Sequence, residues 1–99
     1  MGDDIVKRIQ RCRADVQFMR EILQKYSITY PFLAQESGLK KHVVNKVLQG
    51  SDDRYFLTEE AERRIQVLLT TLSKVLTERA SFMSADAERI NQKINPLDL

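Results

Sequence analysis

The segment TYPFLAQESGLKKHVVNKVLQG, residues 29–50, divides about one glycine into two short helical patterns. Thr29 offers a hydroxyl to cap a helix, and Pro31 stands so near its start that the missing N–H removes no bond. The spacing predicts a first helix over Tyr30–Ser37, a turn at Gly38 where positive φ is tolerated, and a second helix over Lys40–Gln49 closed by Gly50. Ala34 lies where the two helices would cross closely, and Leu33, Leu39, Val44 and Val47 would form their shared core. The second segment carries Lys40, Lys41, His42, Asn45 and Lys46, with no acidic residue before Asp52. That composition suits a helix laid against phosphates and base edges.

Upstream, Ile5, Ile9, Cys12, Val16, Met19, Leu23 and Tyr26 recur in alternating steps of four and three. This is a heptad stripe on a helix expected from Asp4 to Tyr26, with Asp3 or Asp4 as its cap. Lys7, Arg8, Arg11, Arg13, Arg20 and Lys25 lie off the stripe, on a face that is either solvated or a support for phosphate contacts. Cys12 falls inside the stripe, the place of a small buried hydrophobe rather than of a reactive thiol.

Downstream, Ser51–Leu57 reads as a loop whose Tyr55, Phe56 and Leu57 fold back over the core. Thr58 caps the next helix, Glu59 and Glu60 complement its positive end, and Ala61 stands where a capping box would need Glu or Gln. Its apolar stripe (Ile65, Leu68, Leu69, Leu72, Val75, Leu76, Phe82 and Met83) is broader than one contact requires. Ala80, Ala87, Ile90, Ile94 and Leu97 continue the pattern more narrowly. Two arrangements fit: one helix running to the region of Pro96, or two helices broken near Ser81–Ser84 with Ser84 as a new cap.

Sixteen basic against fourteen acidic residues leave a net charge of +2, so attraction to nucleic acid must come from local patches. One cysteine and one histidine make neither an internal disulfide nor a Cys/His metal site. No apolar run is long enough for a membrane span, and the start lacks the apolar core of a secretion signal. Gly2 follows Met1, but Val6 occupies the place of the Ser or Thr that myristoylation needs. No nucleophile with a base at recognisable spacing and no Gly-rich phosphate loop is present, so an enzyme is not expected, and no cofactor is implied. Few glycines and prolines favour an all-α chain.

Residues 33–50, LAQESGLKKHVVNKVLQG, resemble the helix-turn-helix of lac-repressor-type and phage-repressor-type transcription regulators, in which an apolar-Ala pair precedes a Gly-apolar pair and two apolar positions follow in the reading helix. Residues 57–65, LTEEAERRI, resemble the helix that follows the motif in the lac-repressor family. The resemblance implies that Lys40, Lys41 and His42 face base edges, with Lys46 one turn further on. It implies that Thr29, Tyr30 and Asn45 touch backbone phosphates, to which Arg54 in the following loop is added. Two departures stand out: a long helix precedes the motif, and the family's ligand-binding domain does not follow it. No small-molecule effector is therefore implied.

The expected fold is thus all-α, a helix-turn-helix core flanked by long helices at both ends. Residues 1–71 would be the DNA-binding core and residues 72–99 a dimerisation arm. A single helix pair buries little surface, and operators are commonly read by two-fold dimers. Leu72, Leu76, Met83, Ile90 and Ile94 are the expected dimer contacts, with packing of the arm on the first helix as the competing arrangement. The expected function is that of a transcription regulator, a small bacterial, phage or plasmid repressor that binds double-stranded DNA as a homodimer in the cytoplasm, at the nucleoid. The alternative is a helical adaptor or antirepressor that binds a protein partner through its C-terminal helix and does not bind DNA.

Overall fold

A computed structural model describes residues 2–78 and 84–94, and among these the chain is helical throughout, with no strand. The order is α1 (Gly2–Lys25), α2 (Tyr30–Ser37), α3 (Lys41–Gln49), a 3-10 turn (Tyr55–Leu57), α4 (Glu59–Glu78) and α5 (Ser84–Lys93). Helix α1 begins two residues earlier than expected, so Asp3 and Asp4 lie inside its first turn instead of capping it.

Helix α1 stops on a serine in the left-handed region: Ser27 has φ of 55°. The Ile28 N–H donates to the Leu23 carbonyl at 2.8 Å and the Ser27 N–H to the Gln24 carbonyl at 3.3 Å, the paired bonds of a Schellman ending. Leu23 and Ile28 are both buried, supplying the apolar contact that accompanies it. The chain then turns directly into α2. Thr29 Oγ1 accepts from the Phe32 N–H at 3.3 Å, as its position before Pro31 suggested.

Gly38 closes α2 with φ of 78° and donates its N–H to the Ala34 carbonyl at 3.0 Å. Ser37 seals the same corner, its hydroxyl donating to Ala34 O at 3.2 Å and accepting from the Leu39 N–H at 3.3 Å. Helix α3 starts at Lys41, one residue later than expected, because Lys40 is extended and forms no side-chain cap bond. After Gly50, Tyr55 and Phe56 are buried as expected, although they form a 3-10 turn where a loop was anticipated. Phe56 lies under Gly50, beside Val16. Thr58 accepts from the Ala61 N–H at 3.1 Å and so caps α4.

The core gathers Cys12, Val16, Met19 and Leu23 of α1, Leu33 and Ala34 of α2, Val44, Val47 and Leu48 of α3, and the whole apolar face of α4. Helix α4 packs against every other α-helix of the fold. Of the two arrangements open for the C-terminal region, α4 ends at Glu78 and a separate α5 begins at Ser84, folded back onto α4 and α1. The boundary expected at residues 71/72 therefore falls inside one helix, whose two halves share one core. Phe82, Met83 and Leu97 of the expected stripe lie outside the described residues.

The serine at the end of α1 is in a conformation that costs an L-residue about 1–2 kcal/mol, a cost glycine avoids. Ser27→Gly is expected to raise stability by about 0.5–1 kcal/mol, and Gly38→Ala to lower it by about 1 kcal/mol through its backbone alone, since nothing lies within 4 Å of the added methyl. Urea unfolding midpoints measure both, and equal shifts of one sign would contradict the account.

Candidate nucleic-acid interface

Along α3 the side chains at positions 43, 44, 47 and 48 point inward and are buried, while Lys41, His42 and Lys46 are exposed and Asn45 is half-buried. At about 100° per residue, positions 41, 42, 45, 46 and 49 fall within a sector of about 140°. Lys40 stands exposed just before it. The structure thus brings Lys40, Lys41, His42 and Lys46 to one surface, and the helix carries no carboxylate. Lys46 has a partner: its ammonium lies 4.6 Å from the centre of the Tyr55 ring. The Tyr55 hydroxyl accepts from Arg64 Nη1 at 3.0 Å, and Arg64 is also paired with Glu60. Tyr55 is buried but Lys46 is exposed, and a cation–π contact whose cation stays in water is worth only about 0.5–1 kcal/mol, so Lys46 is parked rather than locked.

The residues expected at phosphates are more scattered. Thr29 and Tyr30 lie together at the start of α2, Thr29 exposed and Tyr30 half-buried against the core. Asn45 is on α3. Arg54 is exposed in the loop beyond it, where its backbone N–H donates to Asp52 Oδ1 at 3.0 Å.

The expected dimer contacts have a different place. Leu72, Leu76 and Ile90 are fully buried within the single chain, Ile94 packs half-buried against the same core, and Met83 lies outside the described residues. Within the chain the row is covered by α5 folding back, which is the competing intramolecular arrangement. Glu88, Arg89, Asn91 and Gln92 of α5 are exposed.

A charged latch holds α5 down. Asp86, its side chain only 5 % exposed, accepts from Lys25 Nζ at 2.6 Å, from the Tyr26 hydroxyl and from Arg89 at 3.3 Å. Lys93 reaches Asp15 at 3.3 Å, and the cations of Arg89 and Lys93 lie 5.1 and 4.9 Å from the Phe18 ring. Ser73 and Asn91 join α4 to α5 at 2.6 Å. The two acids titrate in opposite directions. The Lys25 hydrogen bond, and then that of Tyr26, hold the Asp86 carboxyl below its usual range, while burial pushes Asp15 up despite Lys93 beside it. No local sequence signal marks the hydrogen bonds of this latch to α1 and Tyr26, because those partners are 60 residues or more apart.

Next to it, a cleft of about 310 Å³ is lined by Arg11, Cys12, Asp15, Glu62 and Lys93 among others. That is the low end of the size that holds a small ligand, and its charges already answer one another, Arg11 with Glu62 at 2.9 Å and Lys93 with Asp15. Cys12 forms part of its wall with a thiol pushed up by burial, which keeps it protonated and unreactive. Among the described residues no cluster of His, Cys, Asp or Glu could hold a metal ion, and no helix is long and apolar enough to cross a membrane. The chain matches no known protein family, no curated protein and no solved structure.

Because folding lowers the Asp86 pKa, its contribution is present above the ordinary carboxylate range and is lost as pH falls through the lower folded value. Asp15 does the reverse, its charge opposing folding above that range. Asp86→Asn is therefore expected to speed amide exchange in α5 roughly tenfold at neutral pH, about the effect of one charge-assisted hydrogen bond. Asp15→Asn should leave it nearly unchanged. Equal effects in a hydrogen-exchange comparison would show that the two acids do not divide as described.

Proposed function

We propose that the protein is a sequence-specific transcription regulator of the repressor type, which places α3 in the major groove of double-stranded DNA. The observation that carries this reading is the exposed, acid-free face of α3, bearing Lys40, Lys41, His42 and Lys46 on a helix whose other side is fully committed to the core. Helices α2 and α3, joined by the left-handed Gly38, then act as a helix-turn-helix, as the resemblance of residues 33–50 implies. Lys41 and His42, in the first turn of α3, read base edges, and Lys46 leaves the Tyr55 ring to join them. Thr29, Tyr30, Asn45 and Arg54 fix the register on phosphates. The reading requires no cofactor, effector or catalysis and places the protein at the nucleoid in the cytoplasm. Repression follows from occupancy of the site.

Two-fold reading needs a second copy, with half-sites about 34 Å apart. With Leu72, Leu76 and Ile90 inside the chain, the pairing surface falls to the free end of the first stripe. There Ile5 and Val6, 49 and 50 % exposed, are the large apolar side chains that stand uncovered among the described residues. Light scattering should report a dimer that the double change Ile5→Asp, Val6→Asp converts to monomer, and a wild-type monomer would refute self-pairing in free solution.

Lys41→Ala or His42→Ala is expected to cost about 1–3 kcal/mol on a selected binding sequence and much less on random DNA. Affinity should fall steeply with added salt as counterions are released. Gel shifts on genomic fragments measure both. Binding that ignores salt, or no binding at all, would leave the protein-interaction module as the better reading.

A further inference from the structure

Six cations of α1 lie off its apolar stripe, and the structure separates them. Arg8 and Arg11 reach Glu62, Arg13 reaches Asp53, and Lys25 reaches Asp86. Lys7 and Arg20 make no ion pair among the described residues. Lys7 belongs to the second turn of α1, whereas Arg20 borders two shallow hollows at once. One hollow lies at the junction of α1 and α2 and is also lined by Ser27, Thr29 and Tyr30. The other lies at the end of α3, beside Gln49 and Gly50. Arg20 is therefore an exposed guanidinium between the start of α2 and the end of α3.

Its surroundings favour an anion. Glu21, the adjacent acid, points about 100° away around the helix and accepts from Gln17 at 3.4 Å. Arg13, on the rim of the α3 hollow, is already neutralised by Asp53. Thr29 and Tyr30, at the positive end of α2, line the same hollow as Arg20, and the Thr29 hydroxyl, which accepts from the Phe32 N–H, keeps its own proton to donate. A planar guanidinium flanked by hydroxyl groups and free of carboxylates matches the oxygens of a phosphodiester.

We propose that Arg20, with Thr29 and Tyr30, clamps a backbone phosphate of the same duplex that receives α3. The proposal rests on the DNA-binding reading and extends the footprint from the helix pair onto α1. The charge of Arg20 is unneutralised where four of its neighbours on the helix are engaged, and its position adjoins the phosphate-facing end of α2. The contact carries no sequence information, so it adds equally to specific and non-specific binding.

The test is fluorescence anisotropy of the full chain on a labelled duplex of mixed sequence across a range of salt. A phosphate contact contributes a slope of about 0.9 in log affinity against log salt, so Arg20→Ala should weaken binding about eightfold near 0.1 M salt and flatten the slope by about that amount. Arg20→Lys should retain the slope. Arg11→Ala changes net charge equally but lies beside Glu62, and it sets the background. Arg20→Ala should melt with the wild type, since the side chain has no buried partner. If Arg20→Ala merely tracks Arg11→Ala, the clamp is refuted while DNA binding stands. If the wild type shows no salt-dependent binding, the DNA reading itself fails and takes the clamp with it.

Discussion

The apolar face of α4 is the constraint from which the rest of the fold follows. Ile65, Leu68, Leu69, Leu72, Val75 and Leu76 are all nearly or fully buried, and each such side chain contributes about 1.5–3 kcal/mol when removed from water. The face is too wide for one neighbour. Helices α1, α2 and α3 and the Tyr55–Leu57 turn cover one part of it, and α5 must fold back to cover another. The short helices α2 and α3 have too few turns to hold themselves; they are rigid because Leu33, Val44, Val47 and Leu48 are anchored in the core that α4 organises. That anchoring is what allows the outward side of α3 to be entirely polar.

Charge on this molecule is arranged by engagement rather than by number. A net charge of +2 says little about what any one face of the molecule attracts. Yet the acids are drawn to particular seams: Glu62 and Asp53 hold α1 to the start of α4 and to the loop after α3, Asp86 holds α5, and Asp15 meets Lys93 of α5. Each of these pairs removes a cation and an anion from the surface field together. What remains uncancelled on the outward face of α3 is basic, Lys40 and Lys41 foremost, with Arg20 unpaired nearby. Local patches of this kind steer an anionic partner within a Debye length of about 10 Å, where net charge is a poor guide.

Much of this was legible in the sequence because it is local. Thr29, Gly38, Gly50 and Thr58 each mark a helix end by a bond or dihedral made within a few residues, and the described boundaries follow them. The burial of Tyr55 and Phe56 was also legible, since aromatic residues after a polar loop have nowhere else to go. The partner of an apolar stripe was not. Period identifies Leu72, Leu76 and Ile90 as a face but is the same whether a second copy or the chain's own return covers it. Phe18 and Ile22 show the limit from the other side: they lie off the heptad stripe of α1, yet both are buried, and Phe18 meets the cations of the folded-back α5. A second apolar pair four residues apart on α1 was the available sign that this helix has two neighbours, not one. The Asp86 latch had no such sign, because Lys25 and Asp86 meet only after the intervening 60 residues have folded.

The return of α5 also bears on how two copies could be spaced. An extended arm from Leu72 onward would have set the distance between two α3 helices by its own length. With the arm folded back, any such pairing would fall to α1, which carries both an exposed apolar end and contacts with α3. Helix α1 meets the end of α3 near its own middle, at Arg13, Val16 and Arg20, and presents Ile5 and Val6 about three turns away. The same helix that buries the core would then carry the phosphate contact at Arg20, so spacing and affinity would be governed by a single structural part.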